Sequence, residues 1–246
     1  MNYELLYQWQ QTLSAHLPCL NSWQLANVAL FSYGVIQAEA CQQGSVARQV
    51  SCGEQVTSTM RRWRRFLNNR AFPLHLFFVA WTRWVVSALG LAQVTLLVDE
   101  TKIRDWIGVM LVGVAWEGRC LPLAWRTYRA NSVAEYPSEG QVGMIADLLR
   151  TVKSGLPETT TQVLVLADRG IGTSPELCRA VADLEWQYLF RVTCQTKIVT
   201  AVGDATIAQQ VQPGEIWQAQ GLIFKKRGRI PAYARALWTV GYDEPW

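Results

Sequence analysis

Apolar and polar positions follow two rhythms along this chain, and the change falls near Gln93. From residue 1 to about residue 90 the apolar residues recur at helical spacing, with Gly34, Gly44 and Gly53 as punctuation. The run Val94 to Asp99 (VTLLVD) is then a short strand of the buried type that ends in a carboxylate. Ile107 to Trp116 and Cys120 to Tyr128 are apolar runs around a Glu117-Gly118-Arg119 turn, which predicts an antiparallel hairpin. Gly140 to Lys153 returns to helical spacing and stops at Gly155 and Pro157. A second buried-type strand, VLVLAD, covers Val163 to Asp168. A helix opened by Pro175 runs through Leu184, and a fifth strand is expected over Trp186 to Val192. From about Lys197 the chain turns strand-like and rich in turns.

A meander of three strands, a helix, a strand, a helix and a strand give a mixed sheet of the α/β kind, preceded by helices. The expected division is a helical domain over 1–90, a catalytic-type core over 91–196 and a β-rich segment over 197–246.

Composition narrows the chemistry. Half of the 246 residues are hydrophobic, which describes a folded chain with ample core. With 23 Lys+Arg against 19 Asp+Glu the balance is only mildly basic, so any nucleic-acid reading must come from where the charge lies. The six cysteines form no CxxC pair, and His16 and His75 have no ligand-like spacing to them. A zinc site and histidine acid–base chemistry are therefore not expected. The start, MNYELLYQWQ, lacks the basic and apolar regions of a signal peptide. The most apolar stretch, Leu74 to Leu89, carries Thr82 and Arg83 near its middle. A cytoplasmic protein without a membrane span is the expectation. The twelve tryptophans are read mostly as core and interface mass. Trp106, close after Asp99, is assigned to core packing ahead of stacking on a base.

Asp99 and Asp168 each follow an apolar strand and precede polar residues, Glu100-Thr101 and Arg169-Gly170. A charge at the end of a buried strand is costly unless paired, hydrated or bound to a metal, and open α/β sheets place ligands beyond their strand ends. Two such aspartates on neighbouring strands would converge on hard divalent cations, which favour oxygen ligands. The plainer alternative is that either one caps a helix or pairs with a nearby arginine.

LLVDET, the hairpin after it, and LVLADRGIGTSPEL together resemble the ribonuclease-H-like catalytic core of insertion-sequence DDE transposases, and YLFRV with Arg191 is similar to the family's following strand. The resemblance covers about Val94 to Trp246. It implies a ribonuclease-H-like fold, Asp99 and Asp168 as catalytic metal ligands, and two Mg²⁺ (or Mn²⁺) ions about 3.5–4 Å apart that drive in-line displacement at phosphorus. The partner it implies is double-stranded DNA, both the terminal inverted repeats of the element and a target, with a homodimer on the DNA. The residues past the fifth strand are similar to a β-rich insertion found in several such enzymes.

The family's third carboxylate is a Glu within a Tyr-x-x-Arg-x-x-x-Glu helix, and this sequence departs from it. Tyr188 and Arg191 have the first spacing, but Gln195 stands at the acid's position. Glu176, Glu185, Glu215 and Glu244 are all placed on helix starts, strand starts or turns, away from the two aspartates. The resemblance therefore implies a chain that stops before its third acid. The alternatives are a non-catalytic DNA-binding competitor of the full-length enzyme and an unrelated metal-dependent nuclease.

In the helical region, Ser45–Val50, a Ser51-Cys52-Gly53 turn and Gln55–Leu67 have the outline of a helix-turn-helix. Val56, Met60, Trp63, Phe66 and Leu67 fall on one side of the second helix. Arg61, Arg62, Arg64 and Arg65 fall opposite and suit DNA phosphates, or else form a solvated basic face. Lys225, Lys226, Arg227 and Arg229 are a second basic cluster, read either as a DNA contact or as an exposed hairpin tip kept charged for solubility. Gly170-Ile171-Gly172 fails as a dinucleotide fingerprint, because Pro175 takes the third glycine's place and Asp168 would repel the pyrophosphate.

Overall fold

The computed structural model describes residues 2–51, 55–104, 106–225 and 228–245. The chain forms two compact units, Met1–Ala88 and Leu89–Trp246.

The first unit is helical: α1 Tyr3–His16, α2 Ser22–Ala38, α3 Gln43–Val50, α4 Val56–Leu67 and α5 Leu74–Leu89, whose last residue falls to the second unit. Local chemistry fixes the helix starts. The Asn2 side chain accepts from the Glu4 and Leu5 N–H groups, and Asn21 and Gln24 form a reciprocal capping box. Two apolar clusters hold the helices. Leu13, Leu17, Leu20, Leu25 and Ala29 pack with Phe77, Trp81 and Trp84 of α5, while Tyr33, Val46, Ala47, Val50 and Trp63 join α2, α3 and α4. Among the described residues no helix is long and apolar enough to cross a membrane.

The second unit is mixed α/β. Its larger sheet has the order β3-β2-β1-β4-β5, built from β1 Gln93–Ile103, β2 Ile107–Trp116, β3 Arg119–Arg129, β4 Gln162–Ala167 and β5 Gln187–Phe190. The β1–β2 and β2–β3 pairs are antiparallel; β1–β4 and β4–β5 are parallel. The crossover that a parallel pair needs is α6 Gly140–Gly155 between β3 and β4. Side chains alternate across a strand, so one face takes Val94, Leu96 and Val98 of β1 and Val163, Val165 and Ala167 of β4, all buried. Helix α6 packs on β2 and β3, α8 Pro175–Ala182 on β5, and the two helices touch. The opposite face is less covered: Thr95, Leu97, Leu164 and Leu166 are half-buried, and Leu189 is 66% exposed.

Residues from Lys197 onward form an antiparallel sheet of order β7-β6-β8-β9, with β6 Lys197–Thr200, β7 Gly203–Thr206, β8 Ile216–Ile223 and β9 Ile230–Leu237. It belongs to the same compact unit as the larger sheet. Cys178, Ile223, Phe224 and Ile230 make one apolar cluster with Tyr188 and Phe190.

Three differences from the sequence reading have clear physical causes. Strand β1 does not end at Asp99: it pairs with β2 as far as Ile103↔Ile107, four residues after its pairing with β4 has stopped at Val98↔Ala167. Trp106 is not in the core. It lies at the β1–β2 turn, 70% exposed, where no third layer of the fold reaches it. Leu67, expected on the buried side of α4, is 65% exposed because the helix ends there.

The two faces of β1 predict unequal sensitivity. Leu96→Ala should lower the stability of the second unit by about 2–5 kcal/mol, the range for a fully buried leucine. Leu97→Ala, on the less covered face, should cost less than half as much. Urea denaturation of the two variants measures both, and equal losses would show that the faces are equally packed.

Candidate functional site

The register of the parallel strands builds the site. Val94↔Val163 through Val98↔Ala167 are partners on β1 and β4, so Asp99 and Asp168 occupy the next matching positions. On β4 and β5, Ala167↔Phe190 is the last pair, and the Arg191 N–H still donates to the Ala167 carbonyl at 3.0 Å. Asp99, Asp168 and Arg191 therefore stand in one row across three adjacent parallel strands. Adjacent strands are about 4.8 Å apart, which sets the scale of that row. Both aspartates are exposed.

Each carboxylate has a local partner. Asp99 Oδ1 accepts from the Glu100 N–H at 2.9 Å. Asp168 is the N-cap of the one-turn helix α7, Arg169–Gly172, and its Oδ1 accepts from the Ile171 N–H at 3.1 Å. The capping role weighed from sequence is thus real for Asp168, and it orients the carboxylate without using its second oxygen. Gly172 lets this turn sit against β5: a Cβ there would lie 2.5 Å from the Arg191 carbonyl oxygen and 2.9 Å from the Phe190 Cβ. The charge of Asp99 also reaches Cys120, whose thiol is pushed above its ordinary value first by burial and then by that aspartate.

Glu100, the next acid, faces the other way. Its Oε1 accepts from the Tyr128 hydroxyl and its Oε2 from Gln141 Nε2 of α6 at 2.6 Å, so both oxygens are engaged. Burial, and then the bond to Glu100, hold the Tyr128 hydroxyl well above the ordinary tyrosine range. Gly108 is the seat of that ring, because a Cβ there would be 2.0 Å from Tyr128 Cζ. Of the two vicinal acids, Asp99 alone is placed for a ligand.

Glu244, ranked low from sequence, comes close to this strand end. Its Oε1 pairs with Arg169 Nη1 at 2.5 Å, and its Oε2 accepts from the Cys194 thiol at 3.2 Å. Nothing local signals this contact, since Arg169 and Glu244 are 75 residues apart. The remaining acids stay where the sequence reading put them: Glu176 in the first turn of α8, Glu185 in the turn before β5, and Glu215 before β8. Among the described residues no group of three or more His, Cys, Asp and Glu side chains is arranged to hold a metal ion. Asp99 and Asp168 form a pair of hard oxygen donors, which suits a divalent cation that keeps several of its own waters.

In the helical unit, Arg61, Arg64 and Arg65 of α4 are exposed, as is Arg48 of α3. Arg62 is a correction to the four-arginine face. It is half-buried, and its Nε donates to Asn27 Oδ1 of α2 at 2.8 Å. Asn27 is fully buried and gives its own amide N–H to the Trp23 carbonyl, so a charged donor satisfies an oxygen that would otherwise be stranded. In the second basic cluster, Lys225 is exposed and Arg229 pairs with Asp204 at 3.4 Å. Lys226 and Arg227 lie outside the described residues, as do Cys52 and Gly53 of the α3–α4 turn.

The tail contact makes a pH prediction. The bond from Cys194, then the bond and charge of Arg169, hold the Glu244 carboxyl below its ordinary value of 4.5. A depressed carboxyl stabilises the folded form above its unfolded value and loses that contribution as pH falls through the folded one. A carboxyl NMR titration should place the Glu244 midpoint below that of an ordinary glutamate, and Arg169→Ala should move it back up. A midpoint unaffected by that substitution would dissociate Arg169 from Glu244.

No protein-family model matches this chain, and comparison with curated proteins gives no match either, so what the site does is argued from its own residues and geometry.

Proposed function

We propose that the chain is a DNA transposase of the DDE type, with a ribonuclease-H-like core, that binds the ends of its element and carries out metal-dependent cleavage and strand transfer. The observation that supports this most is the row of Asp99 and Asp168 at matching positions of two parallel strands, in the centre of a sheet of order β3-β2-β1-β4-β5. Strand ends of this kind are where open α/β sheets bind ligands. Asp99 and Asp168 would hold Mg²⁺ or Mn²⁺. When bound there, such ions supply electrostatic stabilisation to the attacking and leaving oxygens of a phosphoryl transfer. The protein's part is positional. The cap bond from Ile171 fixes one carboxylate, the sheet backbone fixes the other, and Arg191 stands next in the row, where a guanidinium suits a phosphate oxygen.

The helical unit supplies the DNA grip in this reading. Helix α4 buries Trp63 against α2 and α3 and leaves Arg61, Arg64 and Arg65 outward, an arrangement that suits the phosphates of a duplex. Synapsis of two DNA ends would bring two copies together.

Two measurements test the two halves separately. Mn²⁺ binding followed by electron paramagnetic resonance should weaken strongly in Asp99→Asn and in Asp168→Asn. Mg²⁺-dependent cleavage of duplex DNA should fall by about 10²-fold or more in either. Glu100→Gln should leave Mn²⁺ binding intact. A wild-type chain that binds duplex DNA yet neither binds Mn²⁺ nor cleaves is instead a non-catalytic DNA-binding protein, the second reading.

For the grip, the logarithm of affinity should fall with the logarithm of salt concentration by about 0.9 per phosphate contact. Replacing Arg61, Arg64 and Arg65 with alanine in the full chain should flatten that slope by about 2–3. Arg62→Ala should leave the slope nearly unchanged and lower the melting temperature, since it strands Asn27. A slope unmoved by the triple substitution would assign those arginines to solvent.

A further inference from the structure

The β1–β2 hairpin carries a feature that the acid pair does not use. Past Asp99, β1 runs on to Ile103, and the turn that follows presents Trp106 at 70%, Ile103 at 52% and Ile107 at 44% exposure. A tryptophan so exposed forfeits the burial that normally holds such a side chain in a core. The turn is also firmly held. The Trp106 N–H donates to the Ile103 carbonyl at 3.1 Å, and the Trp106 carbonyl accepts from the Ala130 N–H at 2.9 Å, which ties the tip to the end of β3. Exposed Lys102 and Arg104 flank the apolar residues.

Next to the tip is a cleft of about 750 Å³, lined by Lys102 and Glu100 of β1, Tyr128 and Ala130 of β3, and Asn131 and Tyr136 of the following loop among others. Tyr136 is 37% exposed and packs edge to face with Tyr128 at 5.1 Å between ring centroids. Glu100 is held by Tyr128 and Gln141, so the carboxylate in the wall has its partners already. The cleft combines an aromatic ring with an open face, a cation at one side and amide and hydroxyl groups between. Those are the groups that hold an unpaired nucleotide: a ring to stack the base, a cation for its phosphate and polar edges for its hydrogen bonds.

We infer that the β1–β2 hairpin tip and the cleft beside it receive an unpaired nucleobase, with Trp106 as the apolar wedge that holds neighbouring bases apart, Tyr136 as the stacking wall and Lys102 at the adjoining phosphate. Apolar wedges inserted at a base step are an established way for proteins to open a duplex. The inference rests on the reading that the chain acts on DNA, and it adds a place where that DNA is distorted, on the same strand as Asp99.

The test uses the full chain and two fluorescent duplexes, one fully paired and one with a single bulged 2-aminopurine. Wild type should bind the bulged duplex about 10-fold more tightly, as base stacking on an aromatic side chain allows. Trp106→Ala and Tyr136→Ala should each bring the bulged duplex down toward the paired one and leave paired-duplex affinity within about twofold, the limit for a contact outside the phosphate grip. Trp106→Phe should keep most of the preference. An unchanged melting temperature shows that the exposed tip was removed without damage to the fold. Equal binding of the two duplexes by wild type, or a preference that survives Trp106→Ala, overturns the nucleobase site and leaves the transposase reading standing. Self-association that depends on Trp106, with the bulge preference unchanged, assigns the tip to a protein contact and also overturns it. A wild-type chain that binds neither duplex removes the DNA reading itself, and this inference with it.

Discussion

The parallel pairing of β1 with β4 is the constraint on which the candidate site depends. Val94, Leu96 and Val98 on one strand, and Val163, Val165 and Ala167 on the other, all turn to the face that α6 and α8 cover. A strand has a side-chain period of two, so that choice sends the next residue of each strand, Asp99 and Asp168, to the other face. Slipping either strand by one residue would press its carboxylate under a helix and lift three aliphatic side chains into partial solvent. Both changes are unfavourable, the first because an unpaired buried charge is costly and the second because apolar area is returned to water. The hydrophobic pattern therefore fixes the chemistry of the row as firmly as it fixes the core. Since α6 is also the crossover between the two strands, the element that makes the parallel pair possible is the one that dictates which way the acids face.

The helical unit shows a polar group competing with a surface role. Asn27 is fully buried on α2 and presents an oxygen that needs a donor. Arg62 is the donor, so one arginine of four is withdrawn from the surface into the packing of α2 against α4. The other three are carried outward by the same helical geometry that buries Trp63. Charge on this helix thus divides by contact, and counting arginines along the sequence overstates the face by one.

Much of the architecture was legible from residue pattern, because each element declares itself locally. The apolar runs of β1 to β5 and the helical spacing of Gly140 to Lys153 need only near neighbours to be recognised, and the turn at Glu117-Gly118 takes positive φ at both residues as such hairpins require. The two aspartates were legible for the same reason, as charges directly after apolar runs. What was not legible depends on partners distant in sequence. Strand β1 looked finished at Asp99 because Glu100, Thr101 and Lys102 are polar, yet β2 continues to pair with them. The inward turn of Arg62 needs Asn27, 35 residues away, and the contact of Glu244 with Arg169 bridges 75 residues. Trp106 was read as core because tryptophan usually is, whereas a hairpin that projects past its sheet partner leaves its tip without a layer to pack on.

Asp99 and Glu100 show how much one pleat can decide. They are adjacent, equally charged and on the same strand, but the alternation turns one to the less covered face and the other toward Tyr128 and Gln141. The engaged acid does structural work that the exposed one depends on. By tying β1 to β3 through Tyr128 and to α6 through Gln141, Glu100 holds the strand straight at the point where β4 no longer supports it. A strand rises about 3.3 Å per residue, so the four steps from Asp99 to Ile103 carry the chain about 13 Å from the acid pair to the base of the hairpin tip. A free loop of that length would move independently of the site. A paired strand, braced at Glu100 and tied to Ala130 at its end, keeps the acid pair and the exposed tryptophan in one fixed geometry. For a substrate as stiff as duplex DNA, that fixed spacing is what allows a distortion at one point to be registered against chemistry at another.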